Sequence, residues 1–165
     1  MPTRIAAVLA LAAAAFAAAG CGSNGGGDRL TKAQLIQRAD AICGKYRAKN
    51  AALNAQAPPR NPTDPRASDQ QVRGSAPVLR KVADNVRGAK KEFGELTPPS
   101  DIESDWNNTL DDLGSIAKNL DDAADAASKL DRQRVINDFG EILRLNRRVN
   151  QFERDYGFRS CGQSA

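Results

Sequence analysis

The sequence contains no histidine, and its single methionine is Met1. Without imidazole, the chain cannot form a Ser-His-Asp triad, a Cys–His dyad or a metal site that needs histidine ligands. Bundle cytochromes and thioether copper carriers are excluded as well, because no methionine follows Met1. No Gly-rich phosphate-binding loop is present either. These absences predict a protein that is not an enzyme and that holds no cofactor and no metal.

Acidic residues are the remaining candidates for chemistry, and they are unevenly distributed. Residues 100–130 carry eight Asp or Glu against two Lys, whereas residues 29–56 carry six Lys or Arg against one acid. The densest acids are Asp111, Asp112, Asp121, Asp122 and Asp125. Calcium needs six to eight oxygens from a shaped loop, which a straight helix does not offer. We therefore interpret the two segments as complementary surfaces of neighbouring helices. The alternative is a basic face directed at anionic lipid or wall polymer. Nucleic acid is not an expected partner, because no dense basic stripe with interleaved aromatics is present.

The N-terminus has the pattern of an export signal. Arg4 precedes an apolar run of about fifteen residues, 5–19, and small residues lead up to Cys21. A membrane-spanning helix takes ~20 residues, so the run is too short for a transmembrane anchor. Residues 18–21, Ala-Ala-Gly-Cys, resemble the lipobox of bacterial lipoproteins. This resemblance implies that residues 1–20 are removed, that Cys21 carries an acyl lipid such as palmitate, and that the protein lies on the extracytoplasmic face of the cell membrane. The alternative is an ordinary signal peptide with an incidental cysteine.

The segment after Cys21 predicts a flexible leash. Residues 22–27 read Gly-Ser-Asn-Gly-Gly-Gly, and such a coil spans roughly 15 Å, enough to hold a domain clear of lipid head groups. The predicted organisation is a signal peptide at 1–20, the lipidated cysteine and leash at 21–29, and a folded domain at 30–165. The folded part is long enough for one hydrophobic core.

Two further cysteines, Cys43 and Cys161, remain if Cys21 is acylated. An even remainder outside the cytoplasm normally pairs. A bridge across more than a hundred residues contributes ~4.7 kcal/mol in the chain-entropy model. We therefore expect a disulfide, with two buried free thiols as the alternative.

Apolar residues recur at three- and four-residue steps and predict four helices. Capping boxes at Thr31–Gln34 and Ser68–Gln71 begin the first two, and a proline-rich linker at 57–65 separates them. The first stripe is Leu35, Ala39, Ile42, Tyr46 and Leu53; the second is Val72, Leu79, Val82, Val86, Ala89, Phe93 and Leu96. Because Pro77 falls inside the second stripe, that helix either begins at Ser68 and contains Pro77, or begins at Ser75.

The third and fourth helices carry the most regular patterns. A capping box at Ser100–Glu103 is predicted to begin the third helix, and Asp131 to cap the fourth. The third stripe is Ile102, Trp106, Thr109, Leu113, Ile116, Leu120, Ala123, Ala127 and Leu130; the fourth is Val135, Phe139, Ile142, Asn146, Val149 and Tyr156. Gly157 is predicted to end the fourth helix in left-handed geometry, with Phe158 folding back towards Phe152.

These elements predict an all-α, antiparallel, up-down-up-down four-helix bundle. Cys43 lies about twelve residues into the first helix, whereas Cys161 follows the end of the fourth. A disulfide needs Cα atoms within ~7 Å. Either the tail folds back, or the first helix projects beyond the end of the fourth, and the sequence leaves both possibilities open.

Two residues on the stripes are candidate contacts for a ligand or partner. Asn146 occupies a core position, where a buried Asn typically fixes helix register; a ligand contact is the alternative. Trp106 is predicted to be core, and it would become a binding anchor only if it were exposed.

Three short motifs together resemble a known group of proteins. Residues 39–43 read Ala-Asp-Ala-Ile-Cys, residues 96–99 read Leu-Thr-Pro-Pro, and residues 156–161 read Tyr-Gly-Phe-Arg-Ser-Cys. The chain resembles small, uncharacterised secreted or lipid-anchored helical proteins of actinobacteria. The resemblance implies an extracytoplasmic bundle and the pairing of Cys43 with Cys161, and it implies no activity.

The expected function is a lipid-anchored interaction module that binds another envelope protein or the cell wall. The alternative is a carrier of a small apolar ligand between the helices, which predicts an internal cavity of ~300–1,000 Å³. Beyond the membrane that the lipid on Cys21 contacts and such an envelope partner, the sequence identifies no partner and no oligomeric state.

Overall fold

A computed structural model of the chain describes residues 29–161. Residues 1–28, which include the predicted signal peptide, Cys21 and most of the leash, and residues 162–165 lie outside the described part. Between residues 29 and 161 the structure is all-helical and contains no strand.

Four long helices and one short helix make up the fold. They are α1 (Lys32–Asn54), α2 (Asp69–Gly94), a single 3-10 turn (Ser100–Ile102), α3 (Glu103–Lys129) and α4 (Arg132–Tyr156). None of these helices combines the length and the apolar character that crossing a membrane requires.

Side-chain pairs between successive helices show that the helices alternate in direction. Asn50 of α1 accepts a hydrogen bond from Asn85 of α2, while Tyr46, one turn earlier, reaches Glu92, two turns later. Between α2 and α3, the pairs Arg80–Asp125 and Arg87–Asp121 show the same relation: the later residue of α2 meets the earlier residue of α3. Arg134–Asp122 and Arg148–Asp112 link α3 to α4 likewise. The up-down-up-down, antiparallel helical bundle predicted from the sequence is confirmed.

The hydrophobic core consists of two clusters along the bundle. The larger cluster joins α2, α3 and α4, with Val72 and Val135 fully buried within it. The second cluster lies at the end where α1 begins, and it gathers side chains from every helix and from the C-terminal tail. Its buried members are Leu35, Ala39, Phe93, Trp106, Tyr156, Phe158 and Cys161. The helix α1 therefore joins the core at one end of the bundle.

Small side chains let α3 lie between two neighbours. Ala117, Ala123, Ala124, Ala126 and Ala127 are all buried on α3, on more than one side of the helix. Short side chains allow helix backbones to approach closely, which suits a helix that packs against both α2 and α4. The heptad stripe predicted for the third helix contains only two of these alanines.

The predicted starts of α1 and α2 are confirmed. Both side-chain and backbone bonds of a capping box are present at Thr31–Gln34 and at Ser68–Gln71. The second helix therefore begins at the first of its two candidate positions, and Pro77 lies within it on the exposed side. An exposed position suits proline here, because the carbonyl that loses its helical partner can bond to water.

The predicted capping box at Ser100–Glu103 is wrong. Ser100 begins the 3-10 turn after Pro99, and α3 begins only at Glu103, without a side-chain cap. The Glu103 carboxylate accepts a hydrogen bond from Arg29 at 2.8 Å between Nη2 and Oε2. The Glu103 side chain therefore pairs with Arg29 and does not form the capping-box bond to residue 100 that the local pattern predicts.

The turn between α3 and α4 combines one predicted and one unpredicted feature. Asp131 accepts a hydrogen bond from the backbone N–H of Arg134 at 3.0 Å, as predicted. Leu130 has a φ of +61°, a left-handed conformation that a non-glycine residue rarely adopts. Packing of Leu130 against the larger core cluster holds it in this conformation.

The proline-rich linker is an ordered structure of turns. It carries backbone hydrogen bonds from Asp64 to Asn61 and from Ala67 to Asp64. Pro62 and Ala67 are buried. Arg66 and Arg60 hydrogen-bond to the Asp64 carboxylate and lower its pKa to about 2, the Arg66 bonds being the larger cause.

Candidate functional site

The chain reverses direction after α4. Gly157, with a φ of +101°, caps the helix, and the N–H groups of Gly157 and Phe158 donate to the carbonyl of Glu153. Only glycine adopts this conformation without strain. The predicted left-handed stop is confirmed, and so is the contact of Phe158 with Phe152, whose ring centroids are 6.2 Å apart.

The tail, residues 157–161, then runs back along α1. The carboxylate of Asp40 accepts hydrogen bonds from three successive backbone N–H groups, those of Arg159, Ser160 and Cys161, at 2.6–3.2 Å. The sulfur of Cys161 lies within 3.5 Å of the Ala39 carbonyl oxygen. One acidic side chain on α1 therefore fixes the path of the tail.

This path brings Cys161 to Cys43. The two residues are joined in a disulfide with a Cα–Cα distance of 5.4 Å across a sequence separation of 118. The predicted pairing is confirmed, and of the two routes left open by the sequence, the folded-back tail is the one found. The two sulfurs lie near the Glu153 carboxylate. Because they are bonded to each other, they do not offer thiolates to a metal.

The tail also separates α1 from α4. Phe158 and Cys161 are buried between elements of the second core cluster. In the described chain, no Cα atom of α1 lies within 8 Å of a Cα atom of α4. Directly packed helices have axes 8–10 Å apart, with Cα atoms closer than the axes where they face each other. Side chains still meet where α1 begins, since Lys32 Nζ lies 4.6 Å from the Tyr156 ring centroid. Beyond the tail the bundle is open along one side, which we call the α1–α4 seam.

A cleft of about 320 Å³ occupies the α1–α4 seam beyond the end of the tail. Ser160 and the disulfide form part of its lining. Apolar side chains from α2, α3 and α4 also line it: Val86, Ala89, Phe93, Leu113 and Val149. The volume falls within the range of small-molecule sites.

Asparagines dominate the polar lining of this cleft. Five of the ten asparagines in residues 29–161 lie here: Asn50, Asn54, Asn85, Asn146 and Asn150. The first three come from α1 and α2 and the last two from α4. The side-chain amides of Asn54 and Asn146 have no hydrogen-bond partner among the described residues. Asn146 is half-buried and faces the cleft, so the alternative of a ligand contact gains weight over a buried register contact.

The cleft carries one residue of each charge. Arg47 of α1 lines it and makes no ion pair within residues 29–161. Glu153 of α4 lies opposite, next to the disulfide. The charges of the two side chains balance, so the cleft is neutral and rich in groups that both donate and accept hydrogen bonds.

A polar contact holds α1, which forms one wall of the cleft, against α2. The Glu92 carboxylate accepts hydrogen bonds from Lys45 at 2.5 Å and from the Tyr46 hydroxyl at 2.7 Å. These bonds, that of Lys45 first, lower the pKa of Glu92. Burial, and then the bond to Glu92, raises the pKa of Tyr46. Gly88 lies directly under the Tyr46 ring, where a Cβ atom would collide with the hydroxyl.

Trp106 belongs to the core, as predicted. It is 4% exposed and packs against Phe93 with ring centroids 5.7 Å apart. Its indole Nε1 has no hydrogen-bond partner in the described part of the chain. The adjoining cavity has a volume of about 10 Å³, which suffices for a single water and not for an organic ligand.

The acidic residues of α3 serve the packing of the bundle. Four of the five acids singled out from the sequence form ion pairs with arginines of α2 or α4: Asp112, Asp121, Asp122 and Asp125. Because the partners lie on opposite sides of α3, these carboxylates do not converge on one ion. The acids of α3 therefore complement neighbouring helices, but these helices are α2 and α4, and the four arginines lie outside the basic segment 29–56. Among the described ion pairs, Arg29–Glu103 joins that basic segment to the acidic one.

An apolar strip lies on α4. Ile136 is 47% exposed and Leu143 is 57% exposed, and they are seven residues apart, so they share a face of the helix. Asn150 follows Leu143 at the same spacing and lines the cleft. The strip therefore extends along the α1–α4 seam from the cleft towards the start of α4.

Comparison with protein-family models, with curated protein sequences and with solved structures finds no match to this chain. The resemblance to actinobacterial lipid-anchored proteins therefore remains a prediction.

The sequence did not predict the cleft. Asn50, Asn54 and Asn85 lie beside the apolar stripes, and nothing in their spacing indicates that they converge with asparagines more than sixty positions later. A signal was nevertheless present, since Asn146 and Asn150 stand one helical turn apart near a core stripe.

Proposed function

We propose that this protein is a lipid-anchored, extracytoplasmic binding module that contacts another component of the cell envelope through its α1–α4 seam. The proposal combines the lipobox-like Cys21 and Gly-rich leash with a folded domain that has an open side. The absence of histidine removes the usual catalytic groups, so binding is the activity that the composition favours.

The observation that carries the proposal is the exposure of Leu143 and Ile136 beside the cleft. A soluble bundle normally turns such side chains inward, and two large apolar side chains exposed on one helix face beside a polar cleft are candidates for a docking surface. The cleft supplies the polar part of that surface and the strip on α4 supplies the apolar part.

The internal volume favours binding at the surface over transport of an apolar ligand. The cavity beside Trp106 is about 10 Å³, whereas a ligand carrier needs ~300–1,000 Å³. The cleft in the α1–α4 seam reaches that range, but five asparagines line it, and such polar walls do not suit an apolar ligand. Trp106, Phe93 and Phe158 fill the space that a carrier would keep open.

Site-specific photo-crosslinking in living cells tests the proposal. A photoreactive amino acid placed at Leu143 is expected to capture one recurrent envelope component. The matched control is Ser115, an exposed residue of α3 that does not line the cleft. The same preparation yields the mass of the N-terminal peptide, which is expected to begin at a diacylglyceryl-modified Cys21.

Two results count against the proposal. Equal adducts at Leu143 and Ser115, or no reproducible adduct at Leu143, would show that the α1–α4 seam is not a binding surface. A Leu143→Lys variant that keeps a native circular dichroism spectrum is expected to lose the captured component, and Ser115→Lys is expected to retain it. An unmodified N-terminus elsewhere in the chain would refute the lipid anchor.

A further inference from the structure

Part of the hydrogen-bonding capacity of the asparagines in the α1–α4 seam is not used by the fold. Asn50 and Asn85 hydrogen-bond to each other at 2.8 Å between Oδ1 and Nδ2, which uses one group of each amide. The side-chain amides of Asn54 and Asn146 have no hydrogen-bond partner among residues 29–161. These unused donors and acceptors face a shared space of about 320 Å³.

The chemistry of this space selects a neutral ligand with many hydroxyl or amide groups. A side-chain amide offers an acceptor oxygen and two donor hydrogens, which together match a pair of neighbouring hydroxyls or an acetamido group. Arg47 and Glu153 balance in charge, so neither an anion nor a cation is favoured as a whole. Charged phosphate or carboxylate ligands generally meet clusters of Arg or Lys instead.

The apolar lining of the same space fits the faces of sugar rings. Val86, Leu113 and Val149 line the cleft beneath the amides. A sugar ring presents C–H groups on its faces and hydroxyls at its rim, so an apolar floor with polar walls complements both. A longer peptide would need an extended groove or an exposed strand edge, and the described residues contain no strand.

We propose that the cleft binds a neutral sugar unit of a cell-envelope glycan, with Asn54 and Asn146 contacting its hydroxyl or acetamido groups. This inference rests on the proposed binding function and identifies the class of ligand. The apolar strip on α4 lies beside the cleft, where it contacts a neighbouring part of the same envelope component.

Nuclear magnetic resonance of the mature, lipid-anchored protein in detergent micelles tests the inference. The probes are the β-1,4-linked trimer of N-acetylglucosamine and maltotriose, titrated up to about 10 mM, a range that detects weak binding. The side-chain NH₂ signals of the five cleft asparagines are expected to shift. Those of the other five, Asn61, Asn107, Asn108, Asn119 and Asn137, serve as internal controls and are expected to stay in place.

An isosteric substitution links binding to one amide. Asn146→Asp removes two donor hydrogens and adds a negative charge, and it is expected to weaken binding of whichever sugar binds by about tenfold. Asn107→Asp, the same change at an exposed site of α3, is expected to leave the affinity unchanged. Equal affinities of the two variants would overturn the assignment of Asn146.

The remaining outcomes separate the sugar from the broader function. Shifts of the control asparagines alone, or no shift with either sugar in a well-dispersed spectrum, would overturn the inference. Binding of a neutral trialanine peptide without binding of either sugar would replace the sugar with a peptide ligand. If crosslinking from Leu143 captures a partner while both sugars fail, the sugar assignment is wrong and the binding function stands. If both experiments fail, the binding function is wrong as well.

Discussion

At the scale of single residues, Asp40 fixes the path of the tail at residues 159–161. It is half-buried on α1 and accepts three backbone N–H groups of the tail. A charged acceptor strengthens such hydrogen bonds, and donors left without a partner at a partly buried site are costly. The position of Cys161 next to Cys43 therefore depends on one carboxylate three residues before the cysteine of α1.

Replacing Asp40 with Asn is expected to lower the free energy of unfolding by roughly 1–3 kcal/mol, because the amide loses the charge and one of the two acceptor oxygens. Urea denaturation of the oxidised protein measures the change. Asp155→Asn, the same substitution at an exposed site of α4, is the control and is expected to stay within about 0.5 kcal/mol of the parent. Equal stabilities of the two variants would mean that the tail is held by the disulfide alone.

At the scale of elements, the sequence predicts the helices well and the packing of α1 poorly. The boundaries of α1, α2 and α4 follow from local capping residues, and the structure confirms them. The contacts of α1 are non-local. Its stripe predicts one buried face, yet only Leu35 and Ala39 are buried, because the second half of the helix lies along the open seam. Periodicity predicts that a face is apolar, and it does not reveal which element covers that face.

The contact of Lys45 and Tyr46 with Glu92 is expected to make the docking of α1 depend on pH. The pKa of Glu92 is lowered in the folded protein, so the contact contributes fully above the ordinary glutamate pKa of about 4.3 and is lost as pH falls through the lowered value. Glu92→Gln is expected to reduce stability at pH 7 and to flatten its decline below about pH 4.3 relative to the parent. Urea midpoints across this pH range measure both effects.

The control for this substitution is Glu95→Gln at the C-cap of α2, where the carboxylate forms no ion pair in the described structure and acts on Lys45 only through space. It is expected to follow the parent curve. A Glu92→Gln variant with the same pH dependence as the Glu95→Gln variant would contradict the role of Glu92.

At the scale of the whole molecule, the protein is a three-helix core of α2, α3 and α4 to which α1 is attached. Three attachments hold α1: its contact with α2, its link to the tail through Asp40 and the disulfide, and the second core cluster at its start. The apolar stripes predict a closed four-helix bundle. The tail, residues 157–161, has no periodic pattern of its own, and it keeps α1 and α4 apart along one side. The cleft, the exposed strip on α4 and the proposed binding function all follow from this opening.

Hydrogen exchange of the full chain, before and after reduction of the disulfide, tests this account most directly. Local opening exchanges the amides of one element while the rest stays protected. Reduction is expected to raise the exchange rates of α1 amides strongly, and to leave those at the centre of α3 nearly unchanged. Equal increases in α1 and α3 would show one cooperative four-helix unit and would contradict an attached α1 beside an open seam.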